Sequence, residues 1–200
     1  MQSSAINKIE NYVTTLLIER SPKQNVYHSL DHTKEVVAAV IEISNGEKLS
    51  QADLELVLIA AWFHDVGYIE KVFGHEEISA MFASNFLSQI EFDSGKIDVI
   101  LGIILSTKVP QQPKSHLQQI ICDADLHHLG KPTFEIRNNL FRTESKNYSG
   151  KMLQDAQWLS QTIEFLTQHH FFTDYAKKYY SPIKETNLLM IQTQLDSLQQ

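Results

Sequence analysis

The stretch that most constrains this chain is short: Leu54, then an uninterrupted apolar run from Leu56 to Phe63, then His64-Asp65-Val66-Gly67. A helix that is apolar on every side is a central, buried one. Ending it in an imidazole and a carboxylate is costly unless something binds them. Just before the run, Ser50-Gln51-Ala52-Asp53 resembles a capping box, with Asp where Glu is usual. The chain is therefore expected to wrap around one buried helix whose end delivers two polar side chains to the interior.

Helical spacing recurs almost throughout. Ile6, Ile9, Val13, Leu16 and Leu17 mark a first helix ending near Ser21-Pro22. Val36, Val37, Val40 and Ile41 mark a second from about Asp31, stopped by Asn45-Gly46. Further helices are expected over about 76–89, 95–107 and 115–129. Three or four more follow Thr133, interrupted near Ser149-Gly150 and Ser181-Pro182. With 42% hydrophobic residues, 7 Gly and 5 Pro, the composition suits this all-α reading. No linker stands out, so residues 1–200 are expected to form a single helical-bundle domain, with the helices after about 145 packed on it.

The net charge of −7 disfavours binding to nucleic-acid polymers or acidic lipid. It leaves room for a small anionic substrate, because a bound cation can reverse the local field. A single cysteine, Cys122, suits a reducing compartment. The N-terminal residues lack a basic segment followed by an apolar one, and the longest apolar run is far too short for a bilayer. A cytoplasmic protein with no membrane partner is expected.

Three segments place metal-ligating side chain types in or beside apolar helices: Tyr27-His28-Ser29-Leu30-Asp31-His32, His64-Asp65, and Cys122-Asp123-Ala124-Asp125-Leu126. Singly, each has a plain structural explanation as a helix cap, a core histidine or a solvated helix end. Together, and in this order, they resemble the His … His-Asp … Asp signature of the HD-domain superfamily of metal-dependent phosphohydrolases. The likeness covers about 25–130 and includes Gly67 and the Ala124-Asp125-Leu126 segment. Leu129-Gly130 and Lys184-Glu185-Thr186-Asn187-Leu188 are similar to small bacterial predicted HD phosphohydrolases.

The resemblance implies an HD-domain helical bundle with additional C-terminal helices, and a single divalent metal held by His32, His64, Asp65 and Asp125. Two imidazoles and two carboxylates without thiolate suit Mn, Mg, Fe, Co, Ni or Zn. It implies a phosphohydrolase acting on a phosphomonoester or phosphodiester, in the first place of a nucleotide, through a metal-bound hydroxide that Asp65 also orients. A similar Tyr-His-x-x-x-His in the cyclic-nucleotide phosphodiesterases would make His28 the proton donor to the leaving oxygen; otherwise it orients His32. His75 and Glu76 would face substrate or activate water, although Glu76 and Glu77 also read as acidic first-turn residues. In binuclear relatives a second His precedes the final Asp, whereas Leu105-Ser106-Thr107-Lys108 has none, which favours one metal.

Among the basic residues Lys108, Lys131, Arg137, Arg142, Lys146 and Lys151, Lys108 is the best placed to meet a substrate phosphate. Asp123, two residues from Asp125, points elsewhere on a helix. His127, His128, His169 and His170 read as structural, and the aromatics from Phe165 to Tyr180 as core or a homodimer face. Two alternatives to the phosphohydrolase stand: a nucleotide-responsive metal module with little turnover, and a di-iron oxygenase, which would need more histidines than the pattern supplies.

Overall fold

The computed structural model describes residues 4–198. Among them are α1 (Ser4–Arg20), α2 (Leu30–Gly46), α3 (Gln51–Phe63), α4 (His75–Gln89), α5 (Ser94–Leu105) and α6 (His116–Asp125). There follow α7 (Phe134–Ser149), α8 (Asp155–Gln168), α9 (Asp174–Tyr179) and α10 (Ser181–Ser197). Short 3-10 turns at Val66–Ile69 and His127–Gly130 complete the list, and no strand occurs among the described residues. No described helix is long and apolar enough to cross a membrane.

α3 is the axle. It packs against α1, α2, α4, α5 and α6, and every residue from Leu56 to Phe63 is buried. Its start is fixed by Ser50, whose Oγ accepts from the Asp53 backbone N–H at 3.1 Å and donates to Asp53 Oδ2 at 2.7 Å. That is the capping arrangement the sequence suggests, with the shorter Asp reaching the Ser hydroxyl.

One boundary differs from expectation. The sixth helix stops at Asp125 instead of running to Leu129. Leu126 leaves helical geometry at φ −97° and ψ 15°, and His127 Nδ1 donates to the Ala124 carbonyl at 2.6 Å. A side chain thus satisfies one of the carbonyls that a helix end leaves open. The break matters because it makes Asp125 a terminal residue.

The C-terminal helices lock onto this bundle through polar contacts. Asn187 donates to the carbonyls of Leu129 (2.8 Å) and Lys131 (3.0 Å), and Lys184 donates to the carbonyls of Leu166 and His169 at the end of α8. Asp123 points away from Asp125 and accepts the backbone N–H groups of Phe172 (2.8 Å) and Thr173 (2.7 Å). Burial of that carboxyl pushes it up to about 6. Glu42 gathers the hydroxyls of Tyr175 (3.0 Å) and Tyr180 (2.8 Å) together with Lys131 (3.2 Å). The helix α7 is different: only Phe134 and Glu144 of it are buried.

Candidate metal centre

Four side chains from three places in the chain meet at one point. His32 stands in the first turn of α2, His64 follows α3, Asp65 precedes the first 3-10 turn, and Asp125 ends α6. One ligand atom from each of the four lies within 4.8 Å of all the others. Asp65 Oδ2 is 3.3 Å from His32 Nε2 and 3.2 Å from His64 Nε2. Asp125 Oδ1 is 3.4 and 3.6 Å from the same two nitrogens.

These contacts are close without being hydrogen bonds of good geometry. His32 Nε2, His64 Nε2 and Asp65 Oδ2 are all buried with no hydrogen-bond partner. Unpaired polar atoms are rare in a protein interior, and three converging on one point need a shared partner. Burial alone would discharge all four groups. Instead, the carboxylates outweigh burial at His32 and His64 and hold both imidazoles above their usual range. The imidazoles in turn hold Asp65 and Asp125 well below theirs. The carboxylates thus draw positive charge to this point, which protons on the imidazoles or a divalent cation in their place can supply. The donor set fits one.

The surrounding groups aim the donors. His64 Nδ1 donates to the Ala61 carbonyl at 2.8 Å, which leaves Nε2 as the nitrogen able to ligate. Gln111 Nε2 donates to Asp125 Oδ2 at 3.2 Å, so that Oδ1 is the oxygen turned to the histidines. Asp65 Oδ1, on the side away from the imidazoles' shared contact, is 3.4 Å from His75 Nε2. His75 is itself held by a 2.8 Å bond from Nδ1 to the Val72 carbonyl. Glu76 Oε1 lies 3.7 Å from His75 Nε2, and its Oε2 is buried without a hydrogen-bond partner.

His28 sits beside the quartet, its ring stacked on Tyr68 at 3.7 Å and 12° and 6.0 Å from the ring of His32. Its Nδ1 is in close contact with Glu144 Oε1, while Glu144 Oε2 accepts the backbone N–H groups of Tyr27 (2.7 Å) and His28 (3.0 Å). A carboxylate can only accept, so Nδ1 carries the proton and Nε2 is the nitrogen without a protein partner.

All of this opens onto a cleft of about 1210 Å³, floored by Asp65 and Asp125 and bordered by His28, Tyr68, His75 and Glu76. The expected substrate-facing residues therefore do line one space. Lys108 reaches its rim but is exposed, and its Nζ is 2.7 Å from Glu77 Oε1. Lys71, which the sequence did not single out, also lines the rim. Three of the other basic candidates are committed to protein carboxylates: Lys131 to Glu42, Arg137 to Glu35 and Arg142 to Asp155. Glu144 and Gln111 went unnoticed because a lone carboxylate in a polar helix and a glutamine between prolines look like solvated residues.

Comparison with known proteins speaks to the same residues. The model of the family described as HD domain matches residues 29–130, more than half of the chain, which spans the whole quartet. The chain belongs to the HD domain family. Such domains are typically metal-dependent hydrolases, and the quartet here can hold a metal.

Solved structures share the fold of this HD domain protein at low identity. A predicted HD superfamily hydrolase from an uncultured Thermotogales bacterium is 21% identical with a TM-score of 0.63, over 96% of this chain and 92% of that one. YpgQ of Bacillus subtilis, solved in complex with ADP, is 17% identical with a TM-score of 0.67, over 96% and 97%. A protein of Lactobacillus plantarum is 16% identical with a TM-score of 0.67, over 98% and 100%. Among curated proteins, none matches the sequence.

Proposed function

We propose that this HD domain protein is a metal-dependent phosphohydrolase that cleaves a phosphoester of a small molecule, in the first place a nucleotide. The observation that carries the reading is the set of buried, unpartnered donors of His32, His64 and Asp65 beside Asp125 at the floor of an open cleft. The likeness in fold to YpgQ, which was solved with ADP, supports a nucleotide. When bound, a divalent cation supplies Lewis-acid polarisation of a phosphoryl oxygen and acidifies water.

The chain's own residues do the rest. The two imidazoles and two carboxylates orient the centre, and Gln111 keeps Asp125 turned toward it. His28 is the proton donor: Glu144 fixes its ring through Nδ1, which leaves Nε2 facing the leaving oxygen. Asp65 Oδ1 and His75 Nε2, 3.4 Å apart, form a pair able to orient a water and take its proton. Asp65, with Glu76 Oε1 3.7 Å from the same ring nitrogen, stabilises the imidazolium that forms when His75 takes that proton.

The test is elemental analysis together with phosphate release from a panel of nucleotides and simple phosphoesters with added Mn, Mg, Co and Ni. One divalent ion per chain and metal-dependent phosphate release are expected, with both lost in His64→Ala and Asp65→Ala. Stoichiometric metal with no turnover on any phosphoester would leave a binding module in place of an enzyme. Protein that takes up no metal at all would end the proposal.

A further inference from the structure

The cleft is much larger than a phosphate needs, and its far wall is built differently from its floor. That wall is α7 and α8. In α8 the buried stripe is Trp158, Leu159, Thr162 and Leu166. Gln161 and Phe165 lie beside it, four residues apart and so on one face, both exposed and both lining the cleft. In α7, which buries only Phe134 and Glu144, Phe141 also lines the cleft and is 45% exposed. Neither Phe141 nor Phe165 belongs to the core stripe of its helix.

The rings link His28 to the α8 wall. Phe141 is 6.1 Å from His28 in an edge contact and 6.0 Å from Trp158 of α8. A nucleoside phosphate presents phosphorus, sugar oxygen, sugar and base in that order. With the phosphate over the quartet and the sugar oxygen at His28, the base falls against Phe141 and the α8 wall. Stacking on an aromatic ring is the interaction every base can make. Gln161, whose side-chain amide makes no hydrogen bond among the described residues, can both donate to and accept from a base edge.

We propose that Phe141, Phe165 and Gln161 form a nucleobase subsite, which makes nucleoside phosphates the substrate class and sugar phosphates without a base poor ligands. The inference rests on the phosphohydrolase reading and deepens it. A flat, heteroaromatic and hydrogen-bonding group is the ligand; a plain apolar group would satisfy the rings and leave Gln161 unused.

AMP and ribose 5-phosphate differ only in the base, so they isolate the subsite. Their affinities for the manganese-loaded full chain are read immediately on mixing from tryptophan emission, because Trp158 lines the same wall. AMP is expected to bind at least about tenfold more tightly, within the range of one base–aromatic stack. Phe141→Ala is expected to bring AMP down to the level of ribose 5-phosphate, and Gln161→Ala, at an exposed position that cannot endanger folding, to remove part of the difference. Phenyl phosphate tests the plain apolar occupant and should bind no better than ribose 5-phosphate. Equal binding of AMP and ribose 5-phosphate, a preference that survives Phe141→Ala, or phenyl phosphate matching AMP would each overturn the subsite while leaving phosphate release from simple esters intact. Binding of none of the three would count against the subsite and the phosphohydrolase reading together.

Discussion

His28 and Glu144 are 116 positions apart and share one proton-bearing contact, which makes them the most informative pair of single residues. Glu144 is 3% exposed and accepts from two backbone N–H groups as well as the ring, so its carboxylate is fully engaged. If His28 is the proton donor, His28→Ala should lower turnover about 100-fold or more while metal content stays at one per chain, read by elemental analysis beside initial rates. Glu144→Gln keeps the shape but replaces one carboxylate oxygen that accepts from the ring or the backbone by an NH2 that cannot, so it should lower the rate without loosening the metal. Loss of metal in His28→Ala would show instead that the ring orients His32.

At the scale of elements, the centre depends on how closely the first 3-10 turn approaches α4. Gly67 donates its N–H to Ser79 Oγ at 2.8 Å, and a Cβ on it would stand 2.0 Å from the His75 carbonyl oxygen. Two backbones meet where no side chain fits, and the meeting puts Asp65 beside His75. Gly67→Ala should cost at least about 2 kcal/mol in urea denaturation, as overpacking a tight contact does, and should weaken metal binding in a chelator competition. Gly102→Ala in α5 is the control: its Cβ would meet only Gln118 Nε2 at an ordinary 3.7 Å, and the change should be neutral or stabilising by about 0.5 kcal/mol. Equal losses at both positions would refute the close-approach argument.

The whole molecule is closed by its C-terminal helices, and one consequence is sensitivity to acid. His169 lies where α8 ends, packed on Phe171 at 4.7 Å with both ring nitrogens buried and unpartnered. Burial, with the Lys184 ammonium nearby, pushes it down to about 3. Its native form is neutral, whereas the unfolded chain takes up a proton below about pH 6.5. Stability is therefore present above pH 6.5 and falls as the pH drops from there toward 3. Between pH 6.5 and 5 this single residue should withdraw about 2 kcal/mol, and His169→Phe should lose that much less over the same interval in denaturant titrations. Parallel pH profiles for the two proteins would contradict the assignment.

What could be read along the chain follows from interactions between near neighbours. The apolar period of α1 and α2, the all-round apolar α3, the Ser50 cap and the helical character of the chain after Thr133, though not the exact number of its helices, are each written within one or two turns of chain. His32, His64, Asp65 and Asp125 were legible for the same reason: each is a polar side chain in an apolar setting, and together they fit a known pattern. Folding alone decided the rest. It paired Lys108 with Glu77, ended α6 at Asp125 by a bond from His127, and turned Gln111 toward Asp125. It also carried Glu144 into the site on a helix that otherwise looks solvated. Those contacts depend on distances between residues remote in sequence, and local periodicity carries no record of such distances.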